Sequence, residues 1–270
     1  MLQRWISAIV AASILVAILL SDVLIIKICT IVLAMVALYE VFCAFSFQKN
    51  PVFVFLGIVS CLSFGVFNRI NPNYLEAIAF ISIIIMILVM IGSHKKVSFI
   101  DITVLSFILL VIPFCFEHIL FIRKIPEWGQ YYIWLPFIGA FCSDSGAFFV
   151  GKAFGGKKLC PELSPKKTIS GSIGGFIGSI VGFFLYSMVL IYYFKFQVSY
   201  LHYYILAVLC SFASQIGDLT ASAIKRHSSI KDFGNIMPGH GGLMDRVDGL
   251  MFSAPMVYVY VFSLGIVIFN

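Results

Sequence analysis

The sequence contains few charged residues, and it lacks the features that mark a soluble, disulfide-bonded or metal-thiolate protein. Only 11% of its 270 residues are charged and 61% are hydrophobic, whereas soluble domains contain about 45–50% apolar residues. The seven cysteines form no CxxC pair and nearly all lie in apolar segments, so we interpret them as small buried side chains. The sequence shows no soluble domain and no low-complexity tail. These absences exclude a water-soluble protein.

Long apolar runs fill the chain instead, and such a run crosses a hydrocarbon core of about 30 Å as a helix. They predict an all-α, polytopic membrane protein with about nine transmembrane helices. The predicted spans are 5–20, 23–47, 51–67, 74–92, 98–122, 130–151, 170–193, 200–224 and 248–269. The first run is interpreted as a span rather than a cleaved leader, because no small-residue cleavage site follows it. We expect about five N-terminal helices in residues 1–125 and a catalytic region in residues 126–270.

The basic residues predict the orientation of the chain in the membrane. If the spans alternate, 13 of the 18 Lys and Arg residues fall on one side and 5 on the other. Because basic residues are enriched in cytoplasmic loops, the N-terminus and the loops after the sixth and eighth spans are predicted to be cytoplasmic. Those two loops hold 9 of the 18 basic residues, more than orientation alone needs. The formal charge of +6 is therefore explained without a nucleic-acid partner, and we expect none.

An acidic residue lies near the cytoplasmic end of the eighth span. Asp218 precedes Ser222 by four residues, and Lys225 follows three residues later, so a helix places all three side chains on one face. An Asp in a membrane segment costs about 2.5–3.5 kcal/mol by insertion scales, so it needs partners. The alternative to a functional site is an internal salt bridge.

Two more acids, Asp245 and Asp248, lie where the ninth span is predicted to begin, after the glycine-rich MPGHGG. Three residues apart on a helix, they would repel each other unless a cation lies between them. Hard oxygen ligands suit Mg²⁺, and the backbone N–H groups of a glycine-rich segment can approach an anion. His240 is either a phosphate contact or a structural histidine.

The loop after the sixth span combines charges with hydroxyl groups. Asp144 lies within the sixth span and is a site candidate because of its membrane depth. The later SPKKT segment contains Ser164, Lys166, Lys167 and Thr168, which suit an oligophosphate. The alternative is a solvated loop whose lysines only maintain the orientation.

Other features are less specific. Glycines follow SPKKT at positions 171, 174, 175, 178 and 182, and small residues spaced in fours predict close helix packing. Glu40 lies within a span and either pairs internally or lines a cavity; its sequence context does not decide between these.

From Ser222 to Asp248 the chain resembles the signature of the phosphatidate cytidylyltransferases, also called CDP-diacylglycerol synthases. The residues in register with that signature are Ser222, Lys225, Arg226, Lys231, Asp232, Gly234, Pro238, His240, Gly241, Gly242, Asp245, Arg246 and Asp248. The resemblance extends to Asp144 and SPKKT. Two positions depart from it: Met237 replaces the usual Leu, Ile or Phe, and Ser170 lies where many members have Glu. The second departure leaves open whether an acid is needed there.

The resemblance implies a multi-pass enzyme of the cell (inner) membrane, a homodimer whose active site faces the cytoplasm. It implies transfer of CMP from CTP to phosphatidic acid, with release of pyrophosphate, using Mg²⁺ and a second, monovalent cation. We expect Asp218, Asp245 and Asp248 to hold Mg²⁺, with Asp144 as a further candidate ligand. The expected catalytic cations are Lys225 and Arg226. The expected substrate-binding residues are Ser164, Lys166, Lys167, Thr168, Ser222, Lys231, His240 and Arg246.

Three alternatives are weighed against this hypothesis. The CDP-alcohol phosphotransferases share a DxxDG like that of Asp245 to Gly249, but their motif requires later acids, and none follows Asp248 here. A CTP-dependent polyprenol kinase would transfer phosphate rather than CMP. A cation channel or transporter would use the intramembrane acids as a path, but it does not explain two basic loops on one side.

Overall fold

The structure is a computed structural model that describes residues 2–66, 72–93, 97–236, 241–265 and 268–269. These residues form mainly helices, with one small β-hairpin. The helices are α1 (Leu2–Leu19), α2 (Val23–Ala44), α3 (Pro51–Val66), α4 (Pro72–Gly92), α5 (Phe99–Arg123), α6 (Gly129–Tyr132), α7 (Trp134–Phe154), α8 (Ile169–Phe194), α9 (Tyr200–His227) and α10 (Met244–Tyr258). Short 3₁₀ and π-helical turns cover Phe47–Lys49 and Val259–Ser263.

Each predicted span overlaps a helix, the sixth corresponding to α6 and α7 together and the ninth matching α10 and the following π-helical turn only as far as Ser263. Within the described residues, five helical segments are long and apolar enough to cross a membrane: α2, α5, α6 with α7, α8 and α9. Three shorter apolar helices cover Ile9–Leu19, Pro51–Phe64 and Ile78–Gly92. The chain is therefore a mostly helical protein with several membrane-spanning helices. The number nine and the orientation stay predictions.

The main departure from an all-α fold lies between α7 and α8. Strand β1 (Lys158–Cys160) pairs antiparallel with β2 (Ser164–Thr168), which is the SPKKT segment. Lys158 lies opposite Thr168, and Cys160 lies opposite Ser164. The segment expected to be a loop is therefore a short hairpin with a defined register.

Helices α7 and α8 pack with their backbones in contact, as the glycine spacing predicted. A Cβ on Gly174 would lie 2.7 Å from the carbonyl oxygen of Gly146, and one on Gly178 would lie 3.0 Å from the Cα of Gly146. At Gly182 an added Cβ would meet Cys142 and Ile138. This close packing supports the hairpin that joins the two helices.

Helix α10 is enclosed by α9, α5, α7 and α2. It begins at Met244, four residues before the predicted start of the ninth span, and its α-helical part ends at Tyr258. A Cβ on Gly217 of α9 would overlap the carbonyl oxygen of Asp248. The two backbones therefore touch at the level of Asp218 and Asp248, and this contact positions the candidate site.

Candidate active site

Three carboxylates from three different helices come together. Asp144 of α7, Asp218 of α9 and Asp248 of α10 each interact electrostatically with the other two. Asp248 is buried, and its Oδ1 accepts the backbone N–H of Gly249 at 2.8 Å. The other two side chains are more accessible, that of Asp218 being 33% exposed. Because like charges repel, this arrangement favours binding of cations.

Basic side chains surround these three acids. Lys167, from strand β2, forms an ion pair with Asp218. Lys167 and Arg246 both attract the carboxylate of Asp144, and Lys225 attracts that of Asp248. The hairpin thus brings Lys167, one of the predicted substrate-binding lysines, to Asp218 of α9.

The donor chemistry fits a hard divalent cation, because carboxylate oxygens are the ligands that Mg²⁺ prefers. Within the residues that the structure describes, however, no three His, Cys, Asp or Glu side chains are gathered closely enough to hold a metal ion. Asp218 is engaged by Lys167. A metal would therefore require these side chains to reorient, with Lys167 leaving Asp218.

Asp245 has different surroundings from Asp248. Its Oδ1 accepts a hydrogen bond from Lys225 at 2.6 Å, and its Oδ2 accepts the backbone N–H groups of Phe233 at 2.8 Å and Gly242 at 3.1 Å. The ion pair is largely sheltered, with exposures of 15% for Lys225 and 5% for Asp245. Lys225 also lies over the ring of Phe233. Asp245, in the first turn of α10, therefore holds the backbone at Phe233 and Gly242 and links α10 to Lys225 of α9.

The Thr168 hydroxyl group of the SPKKT segment has structural partners. The Oγ1 of Thr168 accepts the backbone N–H of Gly171 at 3.1 Å and caps the N-terminus of α8. Ser170 contacts Thr168 and donates to the carbonyl oxygen of Gly155. Ser164 lies within strand β2, paired with Cys160. Thr168 is thus engaged as a helix cap.

The remaining predicted residues that the structure describes lie on β2, α9 or α10, with Lys231 shortly after α9. Arg226, at the end of α9, donates from Nε to the carbonyl oxygen of Leu163 at 3.1 Å, so it links α9 to the hairpin. Lys166, Lys231 and Arg246 are exposed, and Ser222 is buried. His240 and Met237 lie outside the described residues.

Sequence reasoning left the role of Glu40 open, and the structure brings it to the site. Its Oε1 accepts the backbone N–H of Leu243 at 2.9 Å, and its Oε2 accepts that of Met244 at 2.7 Å. No local pattern predicts this contact, because the partners are more than 200 residues apart.

These bonds change the expectation for the glycine-rich segment. The N–H groups of Gly242, Leu243 and Met244 all donate to carboxylates of the protein, those of Asp245 and Glu40. In this structure the start of α10 is therefore occupied by the chain's own anions. The expectation that these N–H groups cradle phosphate does not agree with this arrangement.

The comparisons with known proteins agree with the residues at the site. A sequence model of the cytidylyltransferase family matches residues 2–264. Similar proteins named phosphatidate cytidylyltransferase occur in several bacteria. That of Bacillus subtilis (strain 168) is 33% identical over 181 residues, covering 67% of this chain and 66% of that protein. That of Staphylococcus saprophyticus is 29% identical, covering 97% of this chain and 99% of that protein. That of Staphylococcus aureus (strain COL) is 30% identical, covering 95% of this chain and 97% of that protein.

Proposed function

The chain belongs to the cytidylyltransferase family, and from this premise we propose that it is a phosphatidate cytidylyltransferase. It transfers CMP from CTP to phosphatidic acid and releases pyrophosphate, giving CDP-diacylglycerol. The observation that carries the proposal is the electrostatic proximity of Asp144, Asp218 and Asp248 to one another and to Lys167, Lys225 and Arg246.

The reaction needs no proton abstraction by the protein. A phosphate monoester has a second pKa of about 6, so the lipid phosphate is largely dianionic near neutral pH. One of its oxygens attacks the α-phosphorus of CTP, the new O–P bond forms, and the bond to the bridging oxygen of the β-phosphate breaks. The main demand on the protein is to position two polyanions and neutralise their charge.

We assign Mg²⁺ binding to Asp218 and Asp248, with Asp144 as a third ligand. The chemistry that Mg²⁺ supplies when bound is neutralisation of charge on the nucleotide phosphates. Asp245, also predicted as a ligand, is assigned here to holding Lys225 instead, because its oxygens already accept three hydrogen bonds. The second, monovalent cation belongs to the same proposal and rests on the family resemblance.

The basic residues are assigned to the phosphates. Lys225, Arg226 and Lys231 lie at or beyond the end of α9, and Lys166 and Lys167 lie on the hairpin that Arg226 joins to α9. An incoming triphosphate offers Lys167 a partner other than Asp218. When Lys167 moves from Asp218 to the triphosphate, the carboxylate of Asp218 becomes free for the metal. Ser164, Ser222, Arg246 and His240 complete the proposed substrate-binding residues.

The location of the protein is also part of the proposal. We propose that the chain lies in the cell (inner) membrane with nine spans, and that its N-terminus and its active site face the cytoplasm. The support for this orientation is that 13 basic residues fall on the predicted cytoplasmic side and 5 on the other. The homodimer rests on the family resemblance, and light scattering of the purified protein in detergent tests it.

A product assay tests the function. Purified protein is incubated with phosphatidic acid, Mg²⁺ and CTP labelled either in the cytidine or at the γ-phosphate. We expect cytidine label in the organic phase and γ-label in pyrophosphate, with no transfer when Mg²⁺ is chelated. Label from the γ-phosphate in lipid would indicate a kinase instead, and cation flux through vesicles without CTP would indicate a transporter.

A further inference from the structure

Glu40 supplies an N-terminal cap that α10 lacks locally. The residue before the helix, Leu243, provides no side-chain hydrogen bond to the first turn. The carboxylate of Glu40 reaches across from α2 and accepts two of the orphan N–H groups there. A negative charge at a helix N-terminus is stabilised by the helix dipole as well as by the hydrogen bonds.

The carboxylate is enclosed by the same segment that it holds. Glu40 is 3% exposed. A Cβ on Gly234 would lie 2.7 Å from its Oε1, and a Cβ on Gly242 would lie 2.7 Å from its Oε2. Because Gly234 and Gly242 have no side chains, the carboxylate fits between them in close contact. A shift of the carboxylate therefore requires a shift of the backbone at these glycines, and the reverse also holds.

We propose that Glu40 is a positioning residue of the active site, which fixes the start of α10 and thereby the placement of Asp248 and Arg246. It touches no substrate in this role and acts through the backbone of residues 243 and 244. The N-terminal helices then contribute to the geometry of the active site rather than serving only as an anchor. The activity readout of this inference rests on the proposed function, whereas its exchange readout does not.

The test uses the full chain in detergent and the variants Glu40→Gln and Glu40→Asp. Gln keeps one acceptor oxygen but turns an NH₂ group towards a backbone N–H. We expect amide exchange at Leu243 and Met244 to rise about tenfold or more, because hydrogen bonds to a charged acceptor are lost. We expect kcat to fall about tenfold to a hundredfold, since small displacements of reacting groups have effects of this size, while KM for CTP changes less than about threefold. Glu40→Asp retains the charge and should lie between Gln and the wild type.

Two further variants separate positioning from general damage. Thr30→Val removes another buried hydrogen bond of α2, that from Thr30 to Ile26, and should leave both readouts at wild-type values. In Gly234→Ala the added Cβ would clash with Oε1 of Glu40 and displace the carboxylate. This variant should reproduce the effects of Glu40→Gln, and it provides the test if Glu40→Gln fails to fold. Wild-type exchange or wild-type kcat in folded Glu40→Gln overturns the inference. An inactive wild type whose exchange still responds to Glu40→Gln would reject the proposed function alone.

Discussion

Replacing Asp245 by Asn tests whether this carboxylate holds the segment before α10. It accepts three hydrogen bonds, from Lys225 at 2.6 Å, Phe233 at 2.8 Å and Gly242 at 3.1 Å. Asparagine keeps one carbonyl oxygen, presents an NH₂ group to groups that are themselves donors, and leaves Lys225 without its ion-pair partner. Removing one partner of a sheltered ion pair costs about 3–5 kcal/mol.

Because part of Lys225 reaches solvent, at 15% exposure, we take the lower end of that range. A loss of about 3 kcal/mol corresponds to about a hundredfold increase in opening, at 1.4 kcal/mol per factor of ten. The increase should be local, because two of the three bonds hold the backbone amides of Phe233 and Gly242 to the first turn of α10, and the third joins that turn to Lys225 of α9.

Hydrogen exchange followed by mass spectrometry measures this opening at the amides of Phe233 and Gly242. The matched control is Lys231→Met, an exposed cation of the same segment, which should change exchange by less than about 0.5 kcal/mol. A double-mutant cycle of Asp245→Asn with Lys225→Met should reveal a coupling of about 1–3 kcal/mol. Exchange at wild-type rates in Asp245→Asn, or additive single effects, would refute the reasoning.

Three other substitutions test separate parts of the site. Asp248→Asn should abolish CTP-dependent transfer while the protein elutes as the wild type from size exclusion; near-normal turnover would remove the metal assignment. Lys166→Ala should weaken the apparent affinity for CTP about threefold to tenfold, as expected for one charge-assisted contact. Lys157→Ala, an exposed lysine just before the same hairpin, is the matched control, and an unchanged KM in Lys166→Ala would count against the hairpin's role. Thr168→Val should destabilise the start of α8 by about 1 kcal/mol through loss of the cap, seen as faster exchange at Gly171, and unchanged exchange there would contradict that role.

The sequence was sufficient to predict the helical membrane architecture, because long apolar runs are local signals. It also predicted the packing of α7 on α8, since small residues at helical spacing permit backbone contact. The resemblance directed attention to Asp144, Asp218 and Asp248, which the structure brings near one another. Their metal-binding role stays a prediction.

The partners of these residues could not be predicted in the same way. The pairing of Lys167 with Asp218 depends on how the hairpin folds back over α9, which neither segment specifies alone. Spacing placed Asp245 and Asp248 on one helix face, but it could not show that Asp245 would be engaged by Lys225 and two backbone N–H groups. Glu40 was recognised as an acid within a span, but no sequence pattern indicated its partners, because it caps a helix from a distant part of the chain.

The span between Glu40 and its partners has a consequence for biosynthesis. The two backbone groups that it binds lie 203 and 204 residues later in the chain, so ribosomes that add about 5–20 residues per second need about 10–40 s to produce them. During that interval α2 is complete, but its carboxylate lacks the hydrogen bonds that satisfy it in the finished protein. Assembly of the first helices therefore cannot reach its final state until residues 243 and 244 have been synthesised.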